Sequence, residues 1–513
     1  MNKSTKKRAP TPTYTSPSQL TLECFTTPFA QNLNPSNRWV ILGKLIPWDE
    51  ICNLYLKNVG ISRTGRPPLS PRVVIGSLII KHLCNLDDRE TVDQISENIY
   101  MQYFLGYPSF SSEPPFDASL FVEFRKRLGM EGINAINERI VAMKNRVEPS
   151  QETVNPVPEE KEKGGTSDPP MPEQPNKGRV IFDATACPQD IAYPTDLDLL
   201  STAREKTELL VDLLYQPVQH QKKPRTYREV ARKRYLQTAQ KKNKQRKEIR
   251  KAVGSQLRFL RRNLNSINKL LDAYPSIPLD TKEYKYLLVV NTLYDQQKQM
   301  YDSHSHSIED RIVSIHQPHV RPIVRGKSQA KVEFGAKIHV SIVDGICFLD
   351  ELSWDAFNEG SHMLNYVEQY KKRFGYYPSE LLADQIYCTR TNRAALKEKG
   401  IKLLAKPLGR PTALHNHVSP GERNPIEGKF GQAKTGYGLN RIKARLNSTS
   451  ETWIATIFMV LNLVKLTGKA LLCLIIIWCE SFSAKLHTLC QFDYDTRNRR
   501  IWKLAINNRN IPR

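Results

Sequence analysis

With 513 residues, 40% of them hydrophobic, the chain is long enough for two or three domains with buried cores. Lysine and arginine total 76 against 52 aspartate and glutamate, a net charge of +24 with a pI near 9.5, which sets the chain apart from ordinary soluble enzymes and calls for a polyanionic partner, nucleic acid ahead of anionic membrane. The nine cysteines are scattered without a C-x2-C pair, which argues for reduced thiols and against a disulfide scaffold or a structural zinc site.

Residues 1–34 read as a disordered or extended tail: the start is basic and rich in Thr, Ser and Pro, with no apolar stretch behind it, so no signal peptide is expected. Residues 35–147 read as a helical DNA-binding domain. Ser70 is positioned to cap a helix with Pro71 at its first position, and Asp88 to cap a second with Val92, Ile95, Ile99 and Phe104 on one face. A third helix follows Asp117, with Leu120, Phe121, Phe124 and Leu128 inward and Arg125, Lys126 and Arg127 near its end. Short helices ending in a basic turn suit a helix-turn-helix-like unit with those three cations on DNA; a plain bundle with a solvated basic face accounts for the same pattern.

Residues 148–177, rich in proline and acids and lacking aromatics, read as a linker and mark a domain boundary. After it, "GRVIFDATACPQD" reads as a strand delivering Asp183 at its end. Asp190, Asp196 and Asp198 follow closely, with Asp196 better read as a helix cap. Residues 206–329 form a basic helical insertion: from Gln221 to Arg262 there are 17 Lys or Arg against only Glu229 and Glu248, a nearly unmixed charge that repels itself and wants phosphates. His304, His306, His316 and His319 lack the partners and spacing of a zinc site, and "RGKSQAK" at 325–331 reads as basic surface.

Two strands, 331–343 and 346–354, flank an Asp344-Gly345 turn; a helix, a strand ending at Asp384, a helix, the strand "IKLLAK" and a last helix follow. The fold class is therefore α/β, a mixed sheet flanked by helices, made of residues 178–205 and 330–469. The apolar run 453–478 is interrupted by Asn462, Lys465, Gly468 and Lys469 and reads as a buried helix, with Ser448 and Glu451 at capping-box spacing, rather than a membrane span. The role of 470–513 is not legible.

Asp183 and Asp384 each follow an apolar strand, and Glu427 lies near the start of the last helix among many cations. Carboxylates on rigid elements are what phosphodiester chemistry asks of a protein that holds hard divalent ions. For Glu427 a second reading stands: Asn424, Pro425 and Glu427 have the spacing of an N-cap, a first-turn proline and the N3 acid of a capping box.

The stretches "VIFDATACPQDIAYPTDLDLLSTAREKTE", "LLADQIYCTRTNRAALKEKGIKLLAKPLGRP" and "ERNPIEGKFGQAKTGYGLNRIKARLNSTSET", with "TVDQISENIYMQYFLGY" and "PFDASLFVEFRKRLG" before them, resemble bacterial insertion-sequence transposases of the DDE type, in the insertion-sequence-five group. The resemblance implies an RNase H-like fold in which Asp183, Asp384 and Glu427 form a catalytic triad holding two divalent cations, Mg2+ or Mn2+. It implies that Arg423 and Lys434 of the family's Tyr-x2-Arg-x3-Glu-x6-Lys pattern contact DNA phosphates or orient Glu427, with Arg441 and Lys443 as further DNA contacts beyond them. Pro420 occupies the tyrosine position. The implied partners are double-stranded DNA, as element ends and target, and further copies of the chain, a homodimer or higher assembly on DNA, with no membrane. The implied location is the bacterial cytoplasm with the nucleoid. A catalytically inactive DNA-binding relative and a metal-dependent nuclease without strand transfer share all these features.

Overall fold

The computed structural model describes residues 33–58, 69–147, 175–324, 332–405 and 420–468. Most of the tail and the proline-rich linker, the basic segment 325–331 and the C-terminal segment lie outside the described residues.

Among the described residues six helices precede the sheet: α1 (Arg38–Leu45), α2 (Trp48–Asn58), α3 (Pro71–Leu83), α4 (Asp88–Glu97), α5 (Ile99–Phe104) and α6 (Leu120–Val147). Pro71 opens α3 as expected, because a proline at the first position gives up only a donor that has no partner there. The cap of α4 is Asp87 rather than Asp88, closing a capping box with Glu90. Asn98 then ends α4 and caps α5, which shifts the helical phase and leaves Ile99 at the surface while Phe104 stays buried. Within α6 the helix breaks at Gly129, whose φ of 62° and ψ of 173° suit only glycine.

The sheet has six strands: β1 (Arg179–Pro188), β2 (Arg321–Val324), β3 (Val332–Val343), β4 (Ile346–Ser353), β5 (Glu380–Leu382) and β6 (Lys402–Leu404). Their order is β2-β3-β1-β5-β6, with β4 also on β3. β3 runs antiparallel to β1, β2 and β4, whereas β5 is parallel to β1 and β6 to β5. The expected Asp344-Gly345 turn joins β3 to β4 with positive φ at both residues, 51° and 78°, as a two-residue hairpin requires. Helices α11 (Met363–Phe374), α12 (Arg390–Glu398), α13 (Asn424–Gly436) and α14 (447–468) follow among the described residues.

Between β1 and β2 stand four helices, α7 (Asp196–Leu214), α8 (Arg228–Ala239), α9 (Arg246–Leu271) and α10 (Thr281–Ser303). They bury a core of their own, with Leu200, Leu257, Leu260, Ile267, Val290 and Leu293 at its centre. Thr195, not Asp196, caps α7; Asp196 pairs with Arg311 at 2.7 Å instead. Of the basic run from Gln221 to Arg262, every Lys and Arg except the half-buried Arg250 is exposed.

Strand alternation gives the sheet two different faces. Ile181, Val340, Ile342 and Leu382 face α13 and α14, whereas Val180, Phe182, Leu381 and Ala383 pack with Tyr366, Val367 and Tyr370 of α11. The first of these cores is continuous with the N-terminal helices, taking in Trp39, Trp48, Phe104 and Phe121. Helix α14 sits inside it, buried from Ile454 to Leu461, and among the described residues no helix is long and apolar enough to cross a membrane. Residues 469–478 of that apolar run lie outside the described residues. Asn462 does not interrupt the helix. Its side chain accepts from Cys347 N at 2.8 Å and donates to Cys347 O at 2.7 Å and to Asn137 at 2.9 Å, so its polar groups are satisfied in the core. Ser448 lies within α14, and Glu451 accepts from the Trp354 indole at 2.9 Å.

Beneath the α11 face, Asp350 is fully buried and receives Arg373 at 2.5 Å, the His339 ring at 3.1 Å and the Ser341 hydroxyl at 3.2 Å. Burial alone would push this carboxyl up, but Arg373 and His339 outweigh it and hold it below its ordinary 3.8. A carboxyl depressed by folding adds stability above its unfolded pKa and loses it as pH falls through the folded value. The thermal midpoint should therefore drop as pH falls below about 4, and Asp350→Asn should flatten that slope while lowering the midpoint at neutral pH.

Candidate catalytic site

Asp183 is not at a strand end: it is the fifth residue of β1, which continues to Pro188 because β3 keeps pairing as far as Gly335. On its other side the sheet does open. β5 pairs with β1 only from Arg179↔Glu380 to Ile181↔Leu382 and then leaves the sheet. Asp183 lies two residues beyond Ile181, and Asp384 two beyond Leu382. In a parallel register the two acids therefore stand abreast, on the face that Ile181 and Leu382 share with α13. A crevice at the carboxyl end of a parallel strand is where open α/β sheets offer a site.

Asp384 is held by the short turn it caps, accepting from Gln385 N at 2.7 Å. That turn is braced from behind. Asn392 donates to Gly360 O at 2.7 Å and to Tyr387 O at 2.9 Å, and Gly360 approaches so closely that a Cβ there would lie 2.3 Å from Ile386 O. Asp183 accepts from its neighbour Ala184 N at 2.8 Å. Its side chain is 22% exposed, that of Asp384 56%.

Helix α13 supplies the third acid. It opens one residue earlier than the sequence suggests, with Arg423 at the N-cap and no side-chain cap, so the capping box expected of Asn424 and Glu427 does not form. Glu427 is exposed, one turn beyond Arg423, while Ile426, Phe430 and Ala433 bury the helix against the sheet. The Arg423 guanidinium reaches both strand acids, 3.1 Å from Asp384 Oδ1 and 3.8 Å from Asp183 Oδ2.

The electrostatics fit this crowding. Burial raises the Asp183 carboxyl above its ordinary value; the Ala184 bond and Arg423 oppose that, and the charges of Asp384 and Glu427 add to it. Like charges gathered around a partly buried carboxylate are tolerable when a cation joins them. Three oxygen-only donors of this kind suit a hard divalent ion with its own waters. Among the described residues no three acids, histidines or cysteines already close into a metal cluster, and the cation between Asp183 and Asp384 is Arg423.

The nearby acids have other duties: Asp190 pairs with Arg441 at 2.9 Å, and Asp198 accepts from Tyr235 at 2.8 Å. Lys434 is half-buried on α13, and Arg441 and Lys443 are exposed beyond it. Lys126 is exposed beside Glu123, and Arg127 is exposed beside Tyr55. Arg125 does not reach the surface. It is 2% exposed, paired with Asp88, and lies 4.9 Å from the Trp453 ring of α14, so its charge joins helices rather than facing DNA. His316 bonds Tyr286 and His319 meets Trp354 edge-on, and the four histidines form no metal cluster among the described residues.

Residues 28–127 match a family model described as Transposase domain (DUF772), and residues 381–464 match one described as Transposase DDE domain. An uncharacterized protein of Rhizobium meliloti, ORF8 in the nfe locus, is 33% identical over 167 residues, 32% of this chain and 68% of that protein. The chain belongs to the insertion-sequence transposases of the DDE type. No solved structure matches it. Within this DDE transposase the second match spans Asp384, Arg423, Glu427 and Lys434, so the open end of β5 and the start of α13 belong to the DDE domain, while β1 with Asp183 precedes that match. Sequence reasoning missed the bracing of Asp384 by Gly360 and Asn392 and the bridging position of Arg423. Only the Arg-x3-Glu spacing hinted at the latter.

Proposed function

We propose that this transposase binds the ends of its insertion sequence, hydrolyses the phosphodiester there to free 3' hydroxyls, and transfers them to target DNA, with Asp183, Asp384 and Glu427 holding two divalent cations. The observation that carries the reading is the pair Asp183 and Asp384, abreast on parallel neighbours and bridged by one guanidinium, with the Glu427 charge close enough to act on Asp183. The path β4-β3-β1-β5-β6, antiparallel on one side of β1 and parallel on the other, supports an RNase H-like catalytic domain, with α7 to α10 as an insertion after its first strand. Membership of the insertion-sequence-five group rests on the sequence blocks around Asp183, Asp384 and Glu427.

Asp183, Asp384 and Glu427 are the residues that would hold the ions, and the charges of both Asp384 and Glu427 act on Asp183. When bound, Mg2+ or Mn2+ activates a water or a 3' hydroxyl and stabilises the leaving oxygen. The chain's own contribution is position. The braced turn fixes Asp384, the continuous strand fixes Asp183, and α13 carries Glu427, Arg423 and Lys434 on one element, the two cations being the phosphate contacts of the reading. Two ends must be held together, so a homodimer or larger assembly on DNA is part of the reading, in the cytoplasm with the nucleoid.

The exposed cations of α8 and α9 are the second DNA contact, to the backbone rather than to base edges. Replacing Lys247, Lys251 and Arg258 together by Glu should weaken duplex binding uniformly across sequences and lower the salt slope of log K by about three, one for each phosphate no longer neutralised. Fluorescence anisotropy between low and high salt measures it. An unchanged slope takes this face out of the interface.

A labelled end fragment incubated with Mg2+ and a target plasmid tests the whole reading, with a joined product as the expected result. Binding without cutting identifies an inactive relative, and cutting without joining identifies a nuclease.

A further inference from the structure

Arg423 stands where electrostatics alone would not put it. A cation at a helix N-cap meets the positive end of the helix dipole, and Arg423 makes no capping bond there to offset this. Its Nε is buried and, among the described residues, has no hydrogen-bond partner. What holds it are the two acids, Asp384 at hydrogen-bond distance and Asp183 beyond it at 3.8 Å. The side chain thus satisfies the acids better than the acids satisfy it.

On the metal-holding role proposed above, we infer that Arg423 is the resident cation of the Asp183 and Asp384 pair in the metal-free protein, and that its side chain must leave the pair before a divalent ion is held there. A guanidinium and a divalent ion on the same pair of carboxylates compete for their charge and repel each other at that range. Once displaced, the guanidinium is repelled both by the ion and by the start of α13. A DNA phosphate offers it a planar, two-point partner. Metal and DNA therefore load together: DNA draws Arg423 off the acids and raises metal affinity, and by linkage metal raises DNA affinity by the same factor. Arg423 acts here as a positioning residue that keeps the acids from holding metal until DNA arrives.

Mn2+ binding to the full-length protein, followed by electron paramagnetic resonance with no DNA present, tests this. Arg423→Gln should bind Mn2+ at least about fivefold more tightly than wild type, the low end of ordinary coupling between sites, and Arg423→Lys should fall between. Adding an unlabelled duplex should tighten Mn2+ binding in wild type by a similar factor and change it little in Arg423→Gln. Equal or weaker Mn2+ binding by both variants without DNA overturns the inference. The double variant Asp183→Asn, Asp384→Asn tests the metal-holding role separately. If Mn2+ binding survives it unchanged, that role itself fails, and the inference falls with it.

Discussion

Asp183→Asn should cut Mg2+-dependent cleavage of an end fragment by at least about 10³-fold, the equivalent of about 4 kcal/mol of transition-state stabilisation, while leaving end binding close to wild type. The separation follows from where the groups sit. Asp183 is partly buried on the central strand, and its replacement removes one anionic ligand without disturbing the exposed cations on α8 and α9. Asp384→Asn and Glu427→Gln should show the same split, with Asp183 the most severe because both other charges act on it. Duplex affinity in these variants should hold or rise slightly, since each loses a negative charge from a basic surface. Gel-based cleavage and anisotropy on the same preparations check both halves, and near-normal cleavage by any of the three variants removes that residue from the triad.

Asp88→Ala should lower unfolding free energy by about 3 to 5 kcal/mol, because it leaves buried cations without their acid. Lys81, at 2.9 Å, and Arg125 both pair with Asp88, and both lie almost wholly inside the protein. Both also stand over the Trp453 ring, at 4.6 and 4.9 Å, and Thr452 donates to Arg125 O. Burial already pushes Lys81 down to about 8 even with Asp88 present. Arg125 is just as deeply buried, so a charge left there without its acid adds to the cost. Urea unfolding followed by tryptophan fluorescence measures the loss, and a change under about 1 kcal/mol would mean that the aromatic ring and not the acid carries the joint. The joint ties the N-terminal helices to α14 and through it to the sheet, so cleavage should become heat-labile in the same variant.

Local signals in the sequence located most elements, and they failed where a distant partner decides the outcome. The Asp-Gly turn and the apolar strand runs are local, and the hairpin and the acids beside the strands follow from them. That β1 runs past Asp183 depends on β3, which pairs with it from far along the chain. The four-residue β2 is too short to signal itself and pairs with the part of β3, Val332 to Gly335, that β4 leaves open on the same edge. The Asn-Pro-x-Glu spacing suggests a capping box, but α13 starts at Asn424 because Arg423 is turned toward acids supplied by β1 and the end of β5. Arg125 was legible in principle. It lies four residues after Phe121 and three before Leu128, on the buried face of its helix, yet its charged neighbours invite a surface reading. The shared core of N-terminal helices, α14 and sheet leaves no local trace, since each contributing segment shows only that it has an apolar face.

Glu427 is the acid on which the proposed triad turns, since the cap that would explain it otherwise does not form. Crystals of the transposase with an end duplex and Mn2+, measured at the manganese absorption edge, locate the ions directly. Anomalous density is expected at coordination distance, about 2.1 Å, from the carboxylates of Asp183 and Asp384, with Glu427 completing the set and Arg423 turned to a phosphate. Manganese bound elsewhere, or a Glu427 carboxylate left facing solvent while the other two hold the ions, would contradict the triad.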